Sequence, residues 1–129
     1  MAQKSSPSPY PTDSELAILQ VLWRRGPSSV REVWDELGQK SGYTTVLKLM
    51  QIMLEKKLVR RDDRELTHVY EAAVTREKTE QHLVGELIDR AFAGSASKLM
   101  LRALAAKSVS PDELKAIREL LAQAEKKRP

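Results

Sequence analysis

Residues 43–70 read YTTVLKLMQIMLEKKLVRRDDRELTHVY, and the fold turns on this stretch. Its first half places Val46, Leu47, Met50, Met53 and Leu54 on one side of a helix over about 44–57, continued by Leu58. Thr45, Lys48, Gln51 and Glu55 fall on the other side, with Ile52 at the boundary. Two short runs follow, 59–62 and 67–72, which alternate in a strand-like way about a turn at 62–65. A helix opened by small polar residues and followed by a charged hairpin has the order of a winged helix. In that arrangement the helix enters the DNA major groove and the hairpin lies over the backbone beside it.

Outward from this stretch, the flanks read as helices. On its amino-terminal side, Thr12 and Glu15 have capping-box spacing, and Leu16, Leu19, Leu22 and Trp23 repeat on one helical face. Arg24-Arg25-Gly26-Pro27 ends that helix with cations, a glycine for a left-handed cap and a proline. Ser29 caps a short second helix whose face holds Val30, Val33, Trp34 and Leu37, with Gly38 as its stop. Trp23 and Trp34 sit on apolar faces and read as core anchors.

On the carboxyl side, Thr75 opens a long helix with the stripe Leu83, Val84, Leu87, Ile88, Ala91 and Phe92, broken at Gly94-Ser95. A short helix from about Ser97 carries Leu99, Met100, Ala103 and Leu104. Ser110-Pro111-Asp112-Glu113 starts the last helix, with a capping serine, a proline at the first position and acids in the first turn. Leu114, Ile117, Leu121 and Ala124 then form an a/d seam. Three helices with such stripes cannot easily bury them on each other. The pattern predicts pairing with a second copy of the chain, with Leu83, Leu87, Ile88, Phe92, Leu99, Leu104, Leu114, Ile117 and Leu121 at the interface.

The expected architecture is therefore mainly α with a small β-hairpin: a winged helix-turn-helix domain followed by a three-helix dimerisation domain. Residues 1–11 read as a disordered tail, 12–73 as the first domain and 74–129 as the second. The tail, MAQKSSPSPYP, is rich in Ser and Pro and lacks the apolar stretch of a signal peptide.

Bulk composition narrows the function classes. The 129 residues are 41% hydrophobic and 31% charged with no cysteine, which excludes disulfides and thiolate metal sites and fits a cytoplasmic protein. No apolar run approaches the ~20 residues that a membrane span needs. Net charge is +4, yet residues 1–73 are only +1, with 11 Lys/Arg against 10 Asp/Glu. The excess is local: residues 40–64 carry seven basic and three acidic side chains. Phosphate neutralisation acts over short distances, so a local cluster suffices for groove binding, and helix affinity would then lean on dimer avidity.

Thr44 and Thr45 let the helix backbone approach a groove floor, and their hydroxyls suit phosphate or base edges. Lys48 reaches a base or a phosphate, and Gln51 suits adenine. Arg60, Arg61, Arg64 and His68 place cations on the hairpin. Taken alone, the helix could be an ordinary surface helix and the hairpin a solvated charged turn, because Asp62, Asp63 and Glu65 nearly cancel the arginines. Together, in this order, they favour DNA. Catalysis has no footing. His68 and His82 lie outside any metal spacing, and there is no glycine-rich phosphate loop, no G-x-S-x-G and no cysteine nucleophile. No cofactor or metal is expected.

The run Tyr43-Thr44-Thr45-Val46-Leu47, closing with Leu54-Glu55-Lys56-Lys57-Leu58-Val59, resembles the third helix of the BlaI/MecI/CopY family of bacterial repressors. Ser14-Glu15-Leu16 with Ile18-Leu19 and Leu22-Trp23 is similar too, as are Val30-Arg31-Glu32-Val33 and Ser110-Pro111-Asp112-Glu113-Leu114 with Ile117-Arg118 and Leu120. The resemblance implies a homodimer that binds a palindromic operator and blocks transcription. It places Tyr43, Thr44, Thr45 and Lys48 toward the groove and Arg60, Arg61 and Arg64 on the wing. It also implies a regulatory protease as a partner, since penicillinase repressors of this family are inactivated by cutting an Asn-Phe bond. Arg102-Ala103 stands at that place here, which counts against the route. Copper-responsive members use paired Cys-x-Cys motifs, which this chain lacks. The family's usual glycine after Lys-Lys is Leu58 here, so the turn into the hairpin is expected to lack its left-handed residue. The competing expectation is a winged-helix module that binds protein rather than DNA, which weak salt dependence would reveal.

Overall fold

The computed structural model describes residues 10–127. The expected tail lies mostly outside these, at 1–9. The elements are α1 (Asp13–Arg25), α2 (Val30–Glu36), α3 (Tyr43–Glu55), β1 (Val59–Asp62), β2 (Val69–Ala72), α4 (Arg76–Ala91), α5 (Ala96–Ala106) and α6 (Pro111–Lys126). The chain forms two compact units, which divide within α4 after Val84.

Local chemistry accounts for the helix boundaries. Thr12, Ser29 and Ser110 each cap a helix and each complete a capping box with Glu15, Glu32 and Glu113. Gly26 and Gly38 adopt φ of 92° and 79°, conformations a side chain resists, and so end α1 and α2. Ser95, rather than Ser97, caps α5, because Ala93 and Gly94 both take positive φ and reset the chain two residues early.

The end of α3 differs from expectation. The left-handed residue is Lys57, with φ 65°, and not Leu58. Lys57 N–H donates to Leu54 C=O and Leu58 N–H to Met53 C=O, the paired bonds of a Schellman turn. Leu58 is thereby turned inward and buried.

The first unit closes around Ile18, Leu19, Val33, Met50 and Met53, all at 0% exposure, with Val46, Val59 and Tyr70 beside them. The expected faces of α1 and α3 point inward, and Ile18 and Val21 join them. The indoles are not core anchors but half-buried braces at its edge. Trp23 Nε1 donates to Val74 C=O at 3.0 Å, and the Arg76 guanidinium lies 4.9 Å above its ring. A buried ion pair joins the ends of two helices, with Lys56 Nζ 2.6 Å from Glu15 Oε1 and side chains only 5% and 3% exposed.

The hairpin is antiparallel, with Val59 opposite Ala72 and Arg61 opposite Tyr70. A further bridge pairs Ser28 with Tyr70, so the link between α1 and α2 is stitched to β2. In the second unit no described residue is buried.

Candidate nucleic-acid interface

Alternation of burial along α3 creates the candidate surface. Val46, Met50 and Met53 anchor the helix in the core, which turns Thr44, Thr45, Lys48 and Gln51 outward, all exposed. Gly42 caps α3 without a side-chain hydrogen bond. The first N–H groups of the helix therefore keep room for an anion. Lys48 enters no ion pair or side-chain hydrogen bond among the described residues, so its charge is fully available.

Trp34 organises the corner between α2 and α3. Its Nε1 donates to Ser41 C=O at 2.7 Å, which fixes the connecting loop. Its ring meets Tyr43 edge-on at 5.7 Å, which holds that side chain at the start of α3 while 39% exposed. On the same indole, the Arg31 guanidinium rests 5.6 Å from the ring centroid. Arg31 was not among the residues expected from sequence. Its spacing from Trp34, i and i+3 on one helix, is the signal that would have found it. A cleft of about 250 Å³ runs from Ser29, Arg31 and Tyr43 to Leu66 and His68, so this corner and the tip of the hairpin bound one surface.

The hairpin carries the expected cations, but each is already held by a carboxylate. Arg60 pairs with Glu71 across the strands at 3.2 Å, Arg61 with Asp63 at 2.7 Å, and Arg64 with Asp62 at 2.7 Å. His68 stands 3.8 Å from Asp63. Hydrogen bonds from the Arg64 side chain and backbone pull the Asp62 carboxyl down to about 2. The Arg64 guanidinium is raised in turn, and that of Arg61 is raised by the Tyr70 side chain first and Asp63 second. These pairs are exposed, and exposed pairs are typically worth only ~0–1 kcal/mol, so a phosphate can displace them. Leu66, at the tip, is fully exposed.

The cluster of cations at 40–64 is not one patch in space. Lys56 is buried against Glu15, Lys57 lines a different cleft beside Tyr10 and His82, and the hairpin arginines are neutralised. Among the described residues, Arg31 and Lys48 on this face have no carboxylate partner, nor does Lys40 in the loop before α3.

Among the residues expected at a chain–chain interface, Leu87, Leu104 and Leu121 are exposed at 39%, 48% and 50%. Leu83, Ile88, Phe92, Leu99, Leu114 and Ile117 are half-buried. Leu101 and Leu120, which were not among the residues expected at the interface, are the most open of the second unit's large apolar side chains, at 64% and 65%.

Among the described residues, no His, Asp and Glu cluster could hold a metal ion. Among the described residues no helix is long and apolar enough to cross a membrane. The family model for the penicillinase repressors matches residues 11–123. No curated protein matches the chain.

Proposed function

The chain belongs to the penicillinase repressor family and so is a transcriptional repressor of a generally DNA-binding kind, and we propose that it acts as a homodimer on a palindromic operator. The observation that carries this reading is the outward face of α3, where Thr44, Thr45, Lys48 and Gln51 stand exposed beside a helix start with no side-chain cap. This face enters the major groove, with Tyr43 and Arg31 at its edge. Arg60, Arg61, Arg64 and His68 lie over the adjoining backbone, exchanging their carboxylate partners for phosphates. The helices after the hairpin supply the second function. Their unburied leucines pair with those of another copy and set two α3 helices about one helical turn, ~34 Å, apart. Localisation in the cytoplasm follows from this role.

Selection of bound sequences from random duplex DNA tests the whole reading, and a recovered palindrome supports it. On that sequence, Lys48→Ala should weaken binding by ~1–3 kcal/mol if it reads a base. Unchanged affinity in Thr45→Ala/Lys48→Ala would remove α3 from the groove. Affinity independent of salt would instead favour a protein partner.

A further inference from the structure

A cleft of about 440 Å³ opens at the carboxyl end of α3, between the Schellman turn, Tyr10-Pro11 and the first turns of α4. Its size falls within the roughly 300–1,000 Å³ typical of small-molecule sites. Two kinds of surface meet in it. Pro11, Leu58 and Val74 give apolar walls, and the Tyr10 ring stands edge-on to His82 at 5.5 Å. Three lysines and two threonines line much of the remainder. Lys56 is neutralised by Glu15, but Lys57 and Lys78 have no ion pair or side-chain hydrogen bond among the described residues. No Asp or Glu lines the cleft. This is the reverse of the hairpin, where every arginine holds a carboxylate.

The backbone adds an independent observation. Lys57 occupies the left-handed position of the Schellman turn, at φ 65°, where glycine would avoid strain. A lysine there sets an ammonium against the cleft at a conformational cost. We propose that the cleft binds a small amphipathic carboxylate, with the acid between Lys57 and Lys78 and a flat apolar body against Leu58, Val74 and Tyr10. A bare inorganic anion would leave those walls wet. DNA is not the occupant: α3 has 13 residues and so runs about 20 Å, which separates the cleft from the groove-facing start of the helix.

Titration of the full chain with benzoate, followed by amide chemical shifts, tests this directly. Benzamide serves as the neutral analogue of the same shape and inorganic phosphate as the bare anion. Benzoate should give saturable shifts centred on Lys57, Leu58, Thr75 and Lys78, at least tenfold tighter than either control. Lys57→Gly/Lys78→Gln should weaken benzoate at least tenfold, and its thermal midpoint reports that it is folded. Shifts that never saturate, or that centre elsewhere, overturn the site. Equal affinity for benzamide or phosphate overturns the ligand class, and that arm decides the matter even if the double variant fails to fold. Unchanged benzoate affinity in a folded double variant removes the lysines from the site.

Discussion

The two units use the same helical periodicity to different ends. In the first, the stripes of α1, α2 and α3 converge with the hairpin, and Ile18, Leu19, Val33, Met50 and Met53 lose all exposure. In the second, a stripe of equal regularity leaves Leu104 48% and Leu121 50% exposed. Periodicity thus marks which face of a helix is apolar but not whether the chain itself covers that face. Coverage needs a third direction, which α1, α2 and the hairpin supply around α3. Where it is missing, the apolar face stays exposed.

The largest test of this contrast lies in the buried pair. Lys56→Ala leaves Glu15 without its cation inside the first unit, and loss of one partner of such a pair costs ~3–5 kcal/mol. Urea unfolding should show that loss, and the double replacement Glu15→Gln/Lys56→Met should recover much of it. Next comes Met50→Ala, expected to cost ~2–5 kcal/mol through the cavity left in the core. Its counterpart Leu120→Ala should move the first unit's midpoint by no more than ~0.5 kcal/mol, as a surface change does. Sedimentation of Leu120→Ala should nonetheless shift toward monomer. Equal destabilisation by the two would erase the distinction between the units.

Lys57→Gly runs the other way. Relief of the left-handed backbone should stabilise the first unit by about 1 kcal/mol, read from the same unfolding curves. The smallest effect is electrostatic. Asp62 is lowered from 3.8 to about 2, so its pairing with Arg64 is fully present above 3.8 and is lost as pH falls through about 2. A carboxyl NMR titration should find that midpoint, and Arg64→Ala should return it toward 3.8.

The elements that were legible in sequence are those whose cause is local. Thr12 with Glu15 formed the capping box its spacing announced, and Ser29 and Ser110 capped their helices as expected, each also boxed by the glutamate three residues on. The strand 59–62 was also placed correctly, whereas the second strand begins at Val69 and not at 67. The contacts that were not legible join residues far apart in the chain. Lys56 sits 41 residues from Glu15, and nothing near either position marks the lysine as buried. The cations clustered along the chain are likewise separated in space, with Lys56 buried against Glu15 and Lys57 on the cleft beside Tyr10. The turn after α3 was misplaced by one residue because the left-handed residue there is a lysine, a type that carries no turn signal. At the candidate interface, the exposed row on α3 follows directly from the period of its buried partners. Arg31 was overlooked because its place depends on an aromatic ring rather than on charge.

The bridge between Ser28 and Tyr70 bears on how the hairpin comes apart. A two-stranded hairpin is marginal by itself in water. Here the Ser28 and Tyr70 amides donate to each other's carbonyls, at 2.9 Å and 2.8 Å. Neither amide can exchange its proton for deuterium until the wing and the turn after α1 separate. The two positions should therefore share one opening rate, far from each other in sequence but members of a single foldon.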